Sequence, residues 1–246
     1  FYSDRTGVLT PWTLSQMINI PGAETSDVFH IHGYTETVTS FLRYQELYLH
    51  PAFYTDVGPN STVEVVAEIG HVGKTSYVFK GDVRLVASNK SICNFNTQLV
   101  HVDMSTRQPT TLPQNLQQKG KGPRPTFNLK MSPNTPMYSR KFRVEESDID
   151  GNGHTNQSVF IRLCSNTAAL GTKAGSYPSL SGDVLKYRVK KIAMLYQEEA
   201  LEGDVLDVQS WEIPSKPVSL GFQVKRAEDD IVRCIFELYE QETAKL

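Results

Sequence analysis

Three side chains able to do chemistry occupy alternate positions of one short loop, namely Asp150, Asn152 and His154. A carboxylate beside a histidine can hold the imidazole in one tautomer and share the role of a general base. A helix is predicted to begin after the loop, and N–H groups at a helix N-terminus can stabilise a developing oxyanion. The pattern therefore predicts an acid–base site, although an Asx-turn with a helix cap would account for the Asp and Asn alone.

The same loop also looks like the start of a calcium loop, because residues 150–153 read Asp-Gly-Asn-Gly. An EF-hand needs a further ligand near its fifth position and a glutamate at its twelfth. Those positions hold His154 and Ile161 here. We therefore do not expect calcium in this loop, and we predict a protein that uses neither a metal nor an organic cofactor.

Two helices are predicted, one near the start of each half of the chain. In the second half, apolar residues recur three and four positions apart over 159–170, and Gly171 follows where a left-handed cap is expected. In the first half, Thr10 suits the N-cap and Pro11 the first helical position, with an apolar face that continues to Ile18.

The remainder of each half is predicted to form antiparallel strands separated by Gly, Asn and Asp turns. The predicted strands cover 41–49, 62–66, 77–86 and 99–102, then 184–195, 205–208, 218–224 and 231–238. One fixed offset between the halves pairs identical residues: Leu42 with Leu185, Tyr44 with Tyr187, Val65 with Val208, Ser76 with Ser219 and Phe79 with Phe222. An internal duplication of an α+β unit is the economical interpretation.

The boundary between the halves is predicted from proline content. Six of the thirteen prolines lie in 105–137, where neither a helix nor a central strand is expected. We therefore predict a first domain over 1–104, a linker or strap over 105–137 and a second domain over 138–246.

Composition excludes several classes of protein. The 246 residues are 39% hydrophobic and carry a net charge of −2, which argues against a dedicated nucleic-acid binder. Three scattered cysteines are too few for a disulfide scaffold or a Cys-rich zinc site. The apolar runs are far shorter than the roughly 20 residues that span a bilayer. We expect a globular protein without a membrane span.

The loop residues 147–156 resemble the signature of acyl-ACP thioesterases of the hot-dog superfamily, in which D-x-N-x-H precedes the central helix. The resemblance implies a tandem double hot-dog of α+β class, each half an antiparallel sheet wrapped around one central helix. It also implies that the catalytic set lies in the second half only, since Gly7 and Pro11 stand at the Asp and His positions of the first. The N-terminal domain is therefore expected to be degenerate.

A second motif of the same family resembles residues 196–200 and places the acidic residue on Glu199. The family's cysteine position holds Ala200, so a cysteine nucleophile is excluded. The resemblance implies hydrolysis of a long-chain acyl thioester of CoA or acyl carrier protein. Asp150 and Glu199 would position and deprotonate water, His154 would be the partner acid/base, and Asn152 would orient the water or the thioester.

Substrate contacts are expected from the loop and from the helices. Backbone amides from Gly153 through Thr155 to Asn156 are expected to stabilise the oxyanion. Phe160 is expected to touch the acyl chain, as are Trp12 and Met17 in the first half, because helix faces line such tunnels in relatives.

Basic residues are concentrated near the strap. Residues 104–144 contain eight Lys or Arg and no Asp or Glu. They could steer CoA phosphates or the acidic surface of a carrier protein, or simply keep a linker solvated.

Two other functions remain open at this point. One is a non-catalytic carrier of a fatty acid, polyene or pigment in a duplicated hot-dog tunnel. The other is a hot-dog enoyl-thioester hydratase, which places His five positions after Asp and Pro after Asn, whereas here His154 comes four after Asp150 and Gly153 replaces the Pro. Either a pseudo-dimeric monomer or a homodimer fits.

Signals for location conflict. Ala244-Lys245-Leu246 resembles a peroxisomal address, which favours a peroxisomal or cytosolic protein. The start at Phe1 and the sequons at Asn60, Asn89 and Asn156 make secretion the alternative.

Overall fold

A computed structural model describes residues 8–19, 38–117, 122–124, 126, 137–151, 153–213 and 218–240. The chain divides into two compact units, Phe1–Thr126 and Phe127–Leu246. Within the described ranges, no helix has the length and apolar character needed to cross a bilayer. Residues 244–246, which resemble a peroxisomal targeting signal, lie outside those ranges.

The first unit contains one antiparallel sheet with a helix preceding it. Its elements are α1 (Pro11–Asn19), β1 (Val38–Leu49), α2 (Pro51–Thr55), β2 (Val63–Val72), β3 (Ser76–Leu85), β4 (Lys90–Asp103), β5 (Gln108–Pro109) and α3 (Gln114–Gln117). The strands lie in the order β2-β3-β4-β1, and the short β5 pairs with β4. The start of α1 at Pro11 confirms the predicted helix and its first residue.

The first part of the predicted strap belongs to the first unit. The β5 strand extends the ladder beyond β4, and the N–H of Leu112 donates to the carbonyl of Lys74 at 2.9 Å. Leu112 and Leu116 are buried against Tyr77 of β3. The expectation of no helix here is wrong for 114–117, because burial of Leu116 stabilises one short turn despite the nearby prolines.

The second unit has a longer helix and its own antiparallel sheet. Its elements are β6 (Met137–Arg143), a 3-10 turn (Glu146–Asp148), α4 (Gln157–Lys173), a 3-10 turn (Val184–Lys186), β7 (Val189–Tyr196), β8 (Val205–Ile213), β9 (Ser219–Arg226) and β10 (Asp229–Leu238). The strands lie in the order β7-β10-β9-β8-β6. The helix packs against β6 and β8 and presents a buried face that includes Phe160, Leu163 and Cys164.

The two units share one topology. The order β2-β3-β4-β1 in the first unit corresponds to β8-β9-β10-β7 in the second, which confirms the predicted repeat of one α+β unit. The offset that relates the halves is correct for Ser76 and Ser219, which open β3 and β9. It is wrong for Tyr44 and Tyr187, since Tyr44 lies inside β1 whereas Tyr187 precedes β7.

The predicted C-terminus of the long helix is also wrong. Gly171 lies inside α4, which continues to Lys173 and is capped by Ala174. A Cβ at position 171 would collide with the side chain of Tyr177, so glycine there permits a close approach between segments. The left-handed glycine is Gly175, with φ of 72°.

Candidate active site

One buried carboxylate fixes both ends of the loop that precedes α4. Asp148 is 8% exposed and forms a capping box with Glu145, whose N–H donates to Oδ2 at 3.2 Å. Its Oδ1 pairs with the guanidinium of Arg162 on α4. The carbonyl of Asp148 accepts from the N–H of Asn156 at 2.8 Å. The loop is therefore anchored to the helix that it leads into.

Within this anchored loop, Asp150 and His154 face each other across a tight turn. The N–H of Asp150 donates to the carbonyl of His154 at 2.8 Å, and the N–H of His154 approaches Oδ1 of Asp150 at 3.5 Å. Gly153, with φ of 80°, supplies the left-handed residue that this turn requires. Asn152, the third residue of the predicted set, lies outside the described residues.

The predicted acid of the second motif lies beside the histidine of the first. His154 Nε2 is 3.2 Å from Oε2 of Glu199, which is in the loop that follows β7. The imidazole is 13% exposed and the glutamate side chain 44% exposed, so the pair is accessible from its carboxylate side. Two residues 45 positions apart in the chain are thus in hydrogen-bonding range.

Backbone contacts hold these two loops together. The N–H and the hydroxyl of Thr155 both donate to the carbonyl of Ala200, each at 2.8 Å. The Arg226 guanidinium donates to the carbonyl of Glu199 at 3.1 Å and to the carboxylate of Asp204 at 2.9 Å. The backbone around Glu199 is therefore held at two points, by Arg226 at the carbonyl of Glu199 and by Thr155 at the carbonyl of Ala200.

The backbone amides from Gly153 to Asn156, which are expected to stabilise an oxyanion, donate to acceptors inside the protein in this structure. The N–H of Gly153 donates to the carbonyl of Asp150, and that of Thr155 to Ala200. The side chain of Asn156 caps α4, since its Oδ1 accepts from the N–H of Ser158 at 2.9 Å. The N–H of Gln157 is at the first position of α4, where an N–H has no acceptor within the helix itself.

Of the apolar residues expected to contact substrate, Phe160 is a core residue of the second unit. It is 3% exposed and packs edge-on against Tyr196, with ring centroids 6.0 Å apart. Burial raises the pKa of the Tyr196 phenol well above its usual value. Trp12 and Met17 are half-buried on α1 of the first unit.

Sequence reasoning missed three residues that organise the site. Asp148 and Arg226 hold the two loops, and Tyr196 places its hydroxyl 3.4 Å from the carbonyl of Gln157 at the start of α4. Asp148 and Tyr196 belong to the two motifs, but nothing in the sequence pairs Arg226 with Glu199. Across the described ranges, no group of three His, Cys, Asp or Glu side chains is arranged to hold a metal ion.

Comparison with solved structures gives matches over nearly the whole chain. A putative oleoyl thioesterase from Lactobacillus plantarum is 14% identical with a TM-score of 0.74, over 96% of this chain and 91% of that one. The 12:0-ACP thioesterase from Umbellularia californica is 13% identical with a TM-score of 0.75, over 96% and 89%. An acyl-ACP thioesterase from Bacteroides thetaiotaomicron is 18% identical with a TM-score of 0.70, over 97% and 93%.

No protein-family model and no curated protein sequence matches the chain. At these identities, the structural matches establish the fold. The protein has the tandem double hot-dog fold seen in thioesterases, as the resemblance of its loop motif implied.

Proposed function

We propose that the protein hydrolyses acyl thioesters, with its active site in the second unit. The observation that carries the proposal is the contact between His154 and Glu199 at the start of α4. The reaction class is supported by three structures that share the fold, namely a putative oleoyl thioesterase, a 12:0-ACP thioesterase and an acyl-ACP thioesterase.

In the proposed reaction, Glu199 removes a proton from a water molecule while His154 holds the carboxylate in place. The resulting hydroxide adds to the thioester carbonyl carbon, and the carbonyl oxygen becomes an oxyanion. When the C–S bond breaks, the proton returns through His154 to the thiolate, which leaves as a free thiol beside the fatty acid. The N–H of Gln157 at the helix N-terminus is a suitable oxyanion donor.

Asp150 is assigned to position the histidine and to share in activating water. Its carboxylate lies next to the N–H of His154, so it stabilises the turn that presents the imidazole. Asn152 is assigned to orient the water or the thioester, as the motif resemblance implies. The cysteine position of the second motif is Ala200, so the proposed route passes through no covalent acyl-enzyme on cysteine.

We further propose that the substrate is a long-chain acyl group on CoA or acyl carrier protein. The basic residues that the structure describes near the strap are exposed and can attract either anionic carrier. These are Arg107, Arg124, Arg140, Lys141 and Arg143.

The deciding experiment measures thiol release from palmitoyl-CoA and from palmitoyl-ACP by the wild-type protein and by the His154→Ala variant. Hydrolysis by the wild type that falls sharply in the variant is the expected result. Absence of hydrolysis with both substrates, together with a lipid or pigment that co-purifies, would favour the carrier function. Hydration of an enoyl thioester without release of thiol would favour the hydratase.

A further inference from the structure

A polar pair lies within an otherwise apolar face of the first sheet. Gln45 of β1 and Thr97 of β4 are directly opposite each other in the ladder, so their side chains are on one face. Gln45 is 0% exposed and Thr97 is 5% exposed. The next pair on this face is Leu47 with Phe95, and both of these residues are buried.

One end of the Gln45 amide is already occupied. Ser15 of α1, which is also fully buried, donates its hydroxyl to Oε1 of Gln45 at 2.6 Å. This hydrogen bond fixes the orientation of the amide and joins the helix to the sheet. The Nε2 atom at the other end of the amide takes no part in this hydrogen bond.

Among the residues that the structure describes, neither the Nε2 end of that amide nor the neighbouring threonine hydroxyl has a hydrogen-bond partner. Gln45 Nε2 and Thr97 Oγ1 are both buried and make no hydrogen bond. Buried polar groups are almost always hydrogen-bonded, so two such atoms on opposite residues indicate a partner other than the described residues. Apolar residues of similar shape at both positions would remove both of these unsatisfied atoms.

The chemistry of the two atoms specifies that partner. An amide N–H needs an acceptor, and a threonine hydroxyl can donate or accept. A hydroxyl group on the ligand satisfies both atoms, since it can accept from Gln45 and donate to Thr97. Apart from Ser15, the neighbours on this face are apolar and include Leu47, Phe95 and the half-buried Phe79 opposite Thr97 on β3.

We propose that the first unit binds a hydroxylated acyl chain, with the chain hydroxyl on Gln45 and Thr97. The choice of a fatty acyl ligand rests on the proposed thioesterase function, whereas the hydrogen-bonding site rests on the first unit alone. The first unit thus distinguishes fatty acids by an oxygen on the chain.

The test measures equilibrium binding of stearic acid and of a set of hydroxystearic acids that differ in hydroxyl position. The wild-type protein is expected to bind at least one hydroxystearic acid about tenfold more tightly than stearic acid, which corresponds to about 1.4 kcal/mol. The Thr97→Val variant keeps the side-chain shape and removes the hydroxyl, and Gln45→Leu removes the amide. In the double variant the ratio of the two affinities should fall to about one.

A matched variant guards against a simple folding defect. Thr97→Ser retains the hydroxyl and is expected to retain the preference, while the single Thr97→Val variant is expected to lose most of it. Equal binding of all the acids by the wild type would overturn the proposal, as would a preference that survives in Thr97→Val. So would a crystal structure with hydroxystearic acid bound elsewhere and only a water between Gln45 and Thr97.

Because the ligands are free acids, the result does not depend on hydrolysis. A wild type that releases no thiol from palmitoyl-CoA but prefers a hydroxystearic acid would refute the thioesterase proposal and leave the binding site standing. Hydrolysis of palmitoyl-CoA without any preference among the acids would do the reverse.

Discussion

The imidazole Nε2 of His154 and the carboxylate Oε2 of Glu199 lie 3.2 Å apart, although they belong to different loops of the second unit. One loop leads into α4 and the other leaves β7. Thr155 joins the two loops through both of its hydrogen bonds to Ala200, one residue beyond each member of the pair. The contact between His154 and Glu199 is therefore supported by hydrogen bonds between the two loops as well as by the two side chains themselves.

Removing the Glu199 carboxylate tests the proposed base. Glu199→Gln keeps the size of the side chain but removes its basicity, so kcat for palmitoyl-CoA should fall about 100-fold or more. The matched control is Glu198→Gln, an adjacent exposed glutamate, which should retain activity within about twofold. Equal losses in the two variants would show that Glu199 is not special. Steady-state kinetics with thiol detection makes the measurement.

Arg226 is predicted to act as a positioning residue for Glu199. Arg226→Met removes the donor to the Glu199 carbonyl and to Asp204, which frees the loop and should lower kcat/KM by roughly tenfold to 100-fold. The control is Arg233→Met, which removes a partly exposed guanidinium paired with Asp230 on the same strand. If both variants lose stability equally but keep full activity, the positioning role is wrong.

The sequence predicted the elements more reliably than the contacts of the site. Apolar periodicity located α4, and the motif resemblance predicted Glu199, which the structure places beside His154. Periodicity could not show that Gly171 is needed for the approach of Tyr177, because that contact is tertiary. Likewise, spacing could not show which loop amides donate to carbonyls within the chain.

Linker composition was a weaker guide. Prolines indicate where regular ladders end, but they do not show whether a segment packs. Leu112 and Leu116, two leucines in an otherwise polar segment, are buried on the first sheet, where they pack on Tyr77. Only the position of Tyr77 on the folded sheet makes that burial possible.

The acid stability of the second unit should depend on Asp204. Burial raises the pKa of this carboxyl, but the N–H of Leu201 and the Arg226 guanidinium outweigh burial and hold the pKa below its usual value. The unfolded chain therefore binds more protons, so Asp204 stabilises the fold above about pH 4 and loses that effect as pH falls through its folded pKa.

The measurement is the free energy of unfolding of the wild type and Asp204→Asn between about pH 7 and pH 3. The variant should be less stable at neutral pH. The difference in free energy of unfolding between the two proteins should become smaller as the solution is acidified. Glu202→Gln, in the same turn and exposed, should show no such change. A difference in free energy of unfolding that stays constant with pH would contradict the proposed contribution of ionised Asp204 to stability.

Gly171→Ala should destabilise the protein more than the same substitution at a glycine with open space around its Cα, such as Gly151. The added Cβ would collide with the Tyr177 ring, whose hydroxyl lies 2.6 Å from the hydroxyl of Ser210, and overpacking of this kind costs about 1–3 kcal/mol. Burial raises the pKa of Tyr177 to about 12, so the phenol stays protonated at neutral pH and that hydrogen bond persists. Gly151→Ala is the matched control, because no atom beyond the adjacent residues lies within 4 Å of the new methyl group. Chemical denaturation should give a lower midpoint for Gly171→Ala alone; equal midpoints would mean that α4 and Tyr177 are not in close contact.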